Sequence, residues 1–208
     1  MTDDTHTHYY EPRLGHGLPH DPFNSIIAPR PIGWVSTRGQ DGSINLAPYS
    51  FFNGFNYIPP IIGFSSTSPK DSLRNCTQTR EFVWNLCTRE LAEAMNQSCA
   101  PVPYGVDEFA LAGLTPVPSR LVAAPRVLQS PVNFECKVTD IIPLRTHTGE
   151  PTPGTLVLGE VVAVHIDKRL LKNGLFDTFG AGLVMRAGGP TAYAAVGPQA
   201  RFDMTRPQ

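Results

Sequence analysis

Ile32-Gly33-Trp34-Val35-Ser36-Thr37 is followed by Arg38-Gly39-Gln40-Asp41-Gly42, and a second apolar stretch, INLAPY, resumes at residues 44–49. A short apolar run, a break bearing glycine and aspartate, and a resumed run predict a β-hairpin with a loop of a few residues. Outward from it, residues 61–64 after Pro59-Pro60 and residues 82–87 (FVWNLC) are further strand candidates. Val132, Phe134, Cys136 and Val138 alternate with Asn133, Glu135, Lys137 and Thr139, the period of a half-buried strand. Residues 156–166 (LVLGEVVAVHI) are long and β-branched, and Gly159-Glu160 interrupts their alternation, which predicts a bulge.

Helix signals are few. In Ser68-Pro69-Lys70-Asp71, the serine can cap free N–H groups, the proline suits the first helical position, and the aspartate can complete a capping box. A helix over 69–77 is expected. A second is expected over 89–97, with Thr88 as cap and Leu91, Ala94 and Met95 as its inner stripe, and a short third after Asp107. Twenty-one prolines and eighteen glycines argue for many turns and against a long helical bundle. The pattern predicts a mainly β chain: an antiparallel barrel, closed or nearly so, with a few short peripheral helices.

The 208 residues suffice for one domain with a sizeable core. A net charge of -1 lacks the basic footprint that nucleic acid demands. The amino end, MTDDTHTHYY, has neither the basic nor the apolar region of a secretory signal, and no run of about 18 apolar residues could span a membrane. A cytoplasmic protein is expected. Cys76, Cys87, Cys99 and Cys136 show no C-x-x-C spacing and read as reduced thiols packed as small apolar residues, with no zinc site. Residues 1–23 read as an N-terminal arm, with disorder expected at its very start, and 24–208 as the domain. His6 and His8 are read as tail residues, because a productive metal site needs more ligands.

The motifs exclude several chemistries. Gly180-Ala181-Gly182 has Met185 where a third dinucleotide-binding glycine belongs, and there is no Walker A loop, H-E-x-x-H or G-x-S-x-G. What remains is an anion site. Ser65-Ser66-Thr67-Ser68 lies between an apolar strand and a helix start, with Lys70 and Ser72 in the first turn. Free N–H groups, hydroxyls and one cation suit a phosphate monoester, although such loops also serve simply as caps.

These segments together resemble the flavin reductase-like family of FMN-binding split barrels, its flavoredoxin-like branch in particular. The likeness runs through residues 28–37 (APRPIGWVST), 45–52 (NLAPYSFF), 59–66 (PPIIGFSS), 70–75 (KDSLRN) and 81–86 (EFVWNL). It closes with Arg186-Ala187-Gly188-Gly189, Tyr193 and Phe202-Asp203-Met204, and covers about residues 24–206 in one order. The resemblance implies a Greek-key split β-barrel that forms a homodimer, with one FMN per subunit near the interface. It implies that Trp34, Val35, Ser36 and Thr37 line the flavin, and that Ala47, Pro48, Tyr49 and Ser50 offer backbone groups to its polar edge. Ser65, Ser66, Lys70 and Ser72 would hold the ribityl chain and phosphate, and Arg30 would add charge at the phosphate or flavin N1. Arg186 stands as a further ligand candidate. Trp34, Phe64, Phe51 and Phe52 read equally as core residues. His165 is a weak catalytic candidate, because reductases of the family often carry Gly-Asp-His near the nicotinamide where residues 159–165 read GEVVAVH.

The function implied is an FMN-binding oxidoreductase in which NADH or NADPH delivers hydride to flavin N5. The cofactor carries the chemistry and the protein orients it. Reduced flavin would pass to a partner oxygenase or another acceptor. Three alternatives stand: a flavoredoxin-like electron-transfer protein with a protein partner, an FMN-dependent oxidase or oxygenase acting on a small organic substrate, and a barrel used only for binding.

Overall fold

A computed structural model describes residues 6–207; the first five residues of the arm, and the expectation made for them, lie outside it. In chain order, α1 (Phe23–Ile26) leads into β1 (Arg30–Pro31), β2 (Gly33–Arg38), β3 (Ile44–Tyr49), β4 (Phe52–Asn56) and β5 (Ile61–Ser66). Helix α2 (Asp71–Thr79), β6 (Glu81–Asn85), α3 (Ala92–Gln97) and α4 (Glu108–Leu111) follow, then the two-residue strands β7 (Pro116–Val117) and β8 (Arg126–Val127). A long hairpin, β9 (Val132–Arg145) and β10 (Pro151–Ile166), precedes β11 (Leu171–Lys172), β12 (Leu175–Phe176), β13 (Val184–Arg186) and β14 (Tyr193–Ala195).

Seven strands form one antiparallel sheet in the order β3-β2-β6-β9-β10-β5-β4. The predicted hairpin is present, with Gly33 opposite Tyr49 and Arg38 opposite Ile44. Strands β3 and β4 stand at opposite edges of the sheet, yet only Ser50 and Phe51 separate them. A flat sheet of this order would hold its edges about 29 Å apart at ~4.8 Å per strand. Three peptide steps span roughly 10 Å. The sheet therefore curls until its edges meet, and Ser65 N–H donates to the Phe51 carbonyl at 2.8 Å, extending the β4–β5 ladder into the short link between the two edges. This is a Greek-key split barrel.

Its interior is filled by Val35, Phe64, Phe82, Cys136 and Val157, all fully buried. A second apolar cluster, with Trp34, Leu46, Met95, Phe109 and Val127, packs α3 and α4 against the outer face of the β2–β3 hairpin. The bulge predicted near Gly159 is present as register shifts after Leu158 and after Val161. Three of the four cysteines are buried, whereas Cys99 is exposed.

Three local expectations shift. Helix α2 starts two residues late with Lys70 at its cap position, because the Ser66 hydroxyl binds the Ser68 carbonyl (2.6 Å) and turns Ser68 away from capping. Helix α3 begins at Ala92, because Arg89 N–H bonds to the Gly182 carbonyl and Thr88 bridges Leu183. Asp107 does cap α4, accepting from Phe109 and Ala110 N–H. The third shift is in β9, whose supposed solvent face holds two buried polar residues, Asn133 and Glu135. Loop 118–131 covers that face and helps satisfy them: Glu135 accepts from Arg120 and Leu121 N–H, and Asn133 accepts from Arg126 while donating to Asn85 Oδ1 in the neighbouring β6. Among the described residues, no helix is long and apolar enough to cross a membrane.

Candidate functional site

Strand β3 is an edge strand, so one side of its backbone has no strand partner. Leu46 N–H points to that side, where it donates to Glu108 Oε2 at 3.1 Å. By the two-residue alternation of a strand, Pro48 faces the same way, where its missing N–H breaks no ladder. Opposite this edge stands the first turn of α2. Between them lies a cleft of about 290 Å³ bordered by Asn45, Ala47, Pro48, Tyr49, Lys70 and Ser72, with Glu108 and the segment from Ser98 to Val102 as its far wall.

The sequence-predicted residues divide into five groups. Ala47, Pro48, Tyr49, Lys70 and Ser72 come together in this cleft. Trp34, Val35, Ser36 and Thr37 are fully buried with their side chains engaged inside the protein. Trp34 Nε1 donates to Ser98 Oγ, Ser36 Oγ to the Pro125 carbonyl, and Thr37 Oγ1 accepts from Asn75. Ser65 and Ser66 end β5 opposite Leu156 and Thr155, and the Ser50 carbonyl accepts from Arg30 Nε. The two arginines hold backbone: Arg30 also binds the Asn24 carbonyl, and Arg186 binds those of Ala192, Gly189 and Pro190. His165 lies across the sheet, in the paired row Pro48, Trp34, Asn85, Asn133, His165. Four strand spacings of ~4.8 Å separate it from Pro48 within one chain.

Lys70 is exposed and forms no ion pair among the described residues. Ser72 is buried and accepts from Asn45 Nδ2 at 2.8 Å. Tyr49 is nearly buried, and its hydroxyl has no hydrogen-bond partner although the Ser72 and Ser66 hydroxyls face it. Burial pushes its pKa up to about 12. Asn75 Oδ1, also buried, is unpartnered as well. A buried polar atom without a partner is costly, which points to a group from outside the chain. A nine-residue helix start, a free ammonium, hydroxyls and an unsatisfied phenol fit a phosphorylated, hydroxyl-bearing ligand of the FMN type.

Glu108, which sequence reasoning took only as part of a short helix, brings a carboxylate to the same cleft. Its burial raises its pKa, and nearby Asp71 and Asp107 add to the rise, against the opposing Leu46 N–H bond. Cys99 and the walls at Ala100 and Pro101 were equally unsignalled, since no local motif marks a cleft wall.

Residues 26–184 match the model of the flavin reductase like domain. A protein of Halalkalibacterium halodurans is 37% identical over 186 residues, covering 87% of each chain. Among solved structures, nitrilotriacetate monooxygenase component B from Bacillus cereus superposes with a TM-score of 0.81 at 31% identity, covering 88% of this chain and 90% of that one. Flavoredoxin of Desulfovibrio vulgaris gives 0.73 at 27% identity, covering 85% and 90%.

Proposed function

Because the chain belongs to the flavin reductase-like domain family, we propose that it binds FMN in the cleft between the β3 edge and the start of α2, and that it uses NADH or NADPH as reductant. The observation that carries this reading is the unpartnered Tyr49 hydroxyl beside Ser72 and Lys70 at the start of α2. Lys70 and the first N–H groups of α2 take the phosphate, and Ser72, Ser66 and Tyr49 take the hydroxyl-bearing chain. The outward backbone of Leu46 and Pro48 presents carbonyl oxygens to the ring's polar edge. When bound, FMN supplies a hydride acceptor at N5. Strand and helix hold these groups rigidly, and no side-chain acid or base is needed for transfer between stacked rings.

Residues 24–208 form the flavin-binding unit, which works as a homodimer. The exposed Phe55, Tyr57 and Ile58 at the tip of the β4–β5 hairpin support a self-association surface. Likeness to a monooxygenase component B supports delivery of reduced flavin to a partner oxygenase. Likeness to flavoredoxin favours the second reading, electron transfer to a protein partner with FMN retained.

Absorbance spectra with FMN supplied, before and after anaerobic addition of NADH or NADPH, test the reading. Flavin bands that bleach rapidly support the reductase. Bands that appear and do not bleach keep the flavin and favour electron transfer. No flavin binding overturns the reading.

A further inference from the structure

Away from the flavin cleft, the last residues of β10 face loop 118–131 across a second opening of about 380 Å³. Glu135 lies behind His165 of its lining, fully buried, and its carboxylate receives three donors: Arg120 N–H at 2.8 Å, Leu121 N–H at 2.6 Å and His165 Nε2 at 2.6 Å. Burial alone would raise the carboxyl pKa, but these donors outweigh it and the net shift is downward. Glu135 is therefore the ionised acceptor and His165 Nε2 carries the hydrogen. That fixes the imidazole, and Nδ1 makes no hydrogen bond among the described residues.

Arg126 borders the same opening. It is half-buried and has no carboxylate within ion-pair distance among the described residues. Its contacts are long ones, to Asn133 Oδ1 (3.3 Å) and the Pro118 carbonyl (3.2 and 3.3 Å). The other charges facing the opening cancel, since Asp167 and Arg169 are bonded to each other. A cation without a counter-ion and a ring nitrogen without a partner thus share one opening, which Leu128 and Ile166 line with apolar surface.

We propose that this opening binds the carboxylate of a small organic acid, with Arg126 as its charge partner and His165 Nδ1–H as a donor to it, the ring taking up one proton from solvent as the acid binds. The half-buried guanidinium gives the carboxylate a bidentate partner, and Leu128 and Ile166 take the apolar body. An adjoining hollow of about 370 Å³ that shares Gln129, Pro131 and Arg169 leaves room for a larger acid. The site does not depend on flavin binding.

Benzoate titrated into the full chain by calorimetry, with the His165 ring followed by nitrogen NMR, tests the proposal. Saturable binding that moves the His165 ring signals is expected. Arg126→Gln should weaken it about tenfold or more, Arg126→Lys should retain most of it, and His165→Gln should weaken it about tenfold to a hundredfold, the range for losing one hydrogen bond to a charge. Thermal unfolding of each variant shows whether it is folded. The proposal is overturned if benzoate does not bind, if folded Arg126→Gln binds it as well as the parent, or if FMN displaces it competitively. Inorganic phosphate binding as tightly as benzoate would also overturn it, since the organic body would then contribute nothing.

Discussion

Glu108 and Glu135 are both buried, and their surroundings push them in opposite directions. Glu135 has three donors and a pKa below the ordinary 4.5; Glu108 has one strand N–H and a pKa above it. A lowered folded-state pKa contributes stability that is present above the unfolded value and lost as pH falls through the folded one. Glu135 thus helps hold the fold at neutral pH, and that contribution fades as pH falls from about 4.5 through its lower folded value. Glu135→Gln leaves at least one donor poorly met, so a loss of about 1–3 kcal/mol at pH 7 is expected in urea unfolding. Glu108 has the reverse sign: its contribution is full below the unfolded value and is lost as pH rises through the raised one. Glu108→Gln should therefore unfold at a higher temperature than the parent at pH 7 and no higher at pH 4. A variant less stable at both values would show that the Leu46 N–H needs the charge.

At the scale of elements, the missing side chain of Gly159 lets β10 pass close over Phe82. A Cβ on Gly159 would lie 2.4 Å from Phe82 Cε1 and 3.3 Å from Cys136 Cβ. Gly159→Ala is expected to cost about 1–3 kcal/mol, the range for overpacking a filled core, read from the urea midpoint. The far wall of the cleft beside β3 depends on a second device. Tyr104 lies under the Arg74 guanidinium (4.1 Å to the ring centroid), and its hydroxyl meets Ser43 and Asp41 at 3.2–3.4 Å. Tyr104→Ala should speed amide exchange over residues 99–106 while global stability falls by about 1 kcal/mol or less, the scale of an exposed cation–π contact. Unchanged exchange would show that the loop is held elsewhere. Which elements were legible follows the range of their interactions. The β2–β3 hairpin, the Asp107 cap and the Gly159 bulge are set by neighbours a few residues away, and sequence periodicity finds them. The buried side of β9 was misread because the donors that satisfy Glu135 lie 14, 15 and 30 residues distant. In the cleft, Lys70 and Ser72 stood in one readable motif, whereas Glu108 reaches Leu46 from 62 residues along the chain.

The whole molecule places consecutive strands at opposite edges of one sheet, which no local pattern specifies. Curling brings those edges together at Ser50 and Phe51 but leaves the β4–β5 hairpin tip projecting, with Tyr57 86% and Ile58 81% exposed beside Phe55. Side chains of this size in water forgo about 1.5–3 kcal/mol each that burial would supply. Covering them with a second copy gives the proposed homodimer its energetic reason, and it makes stability depend on concentration. Sedimentation equilibrium of the parent should give twice the chain mass. Tyr57→Asp combined with Ile58→Asp puts two like charges on each hairpin tip, and in a contact repeated by two-fold symmetry all four would meet. The double variant should sediment as a monomer, and its melting temperature should no longer rise with protein concentration. A parent that is already monomeric would remove the dimer from the proposed function. A variant that stays dimeric would move the interface away from this hairpin. If the flavin site is completed across the interface, the monomeric variant should also hold FMN more weakly than the parent, whereas unchanged affinity would make the cleft beside Tyr49 self-sufficient.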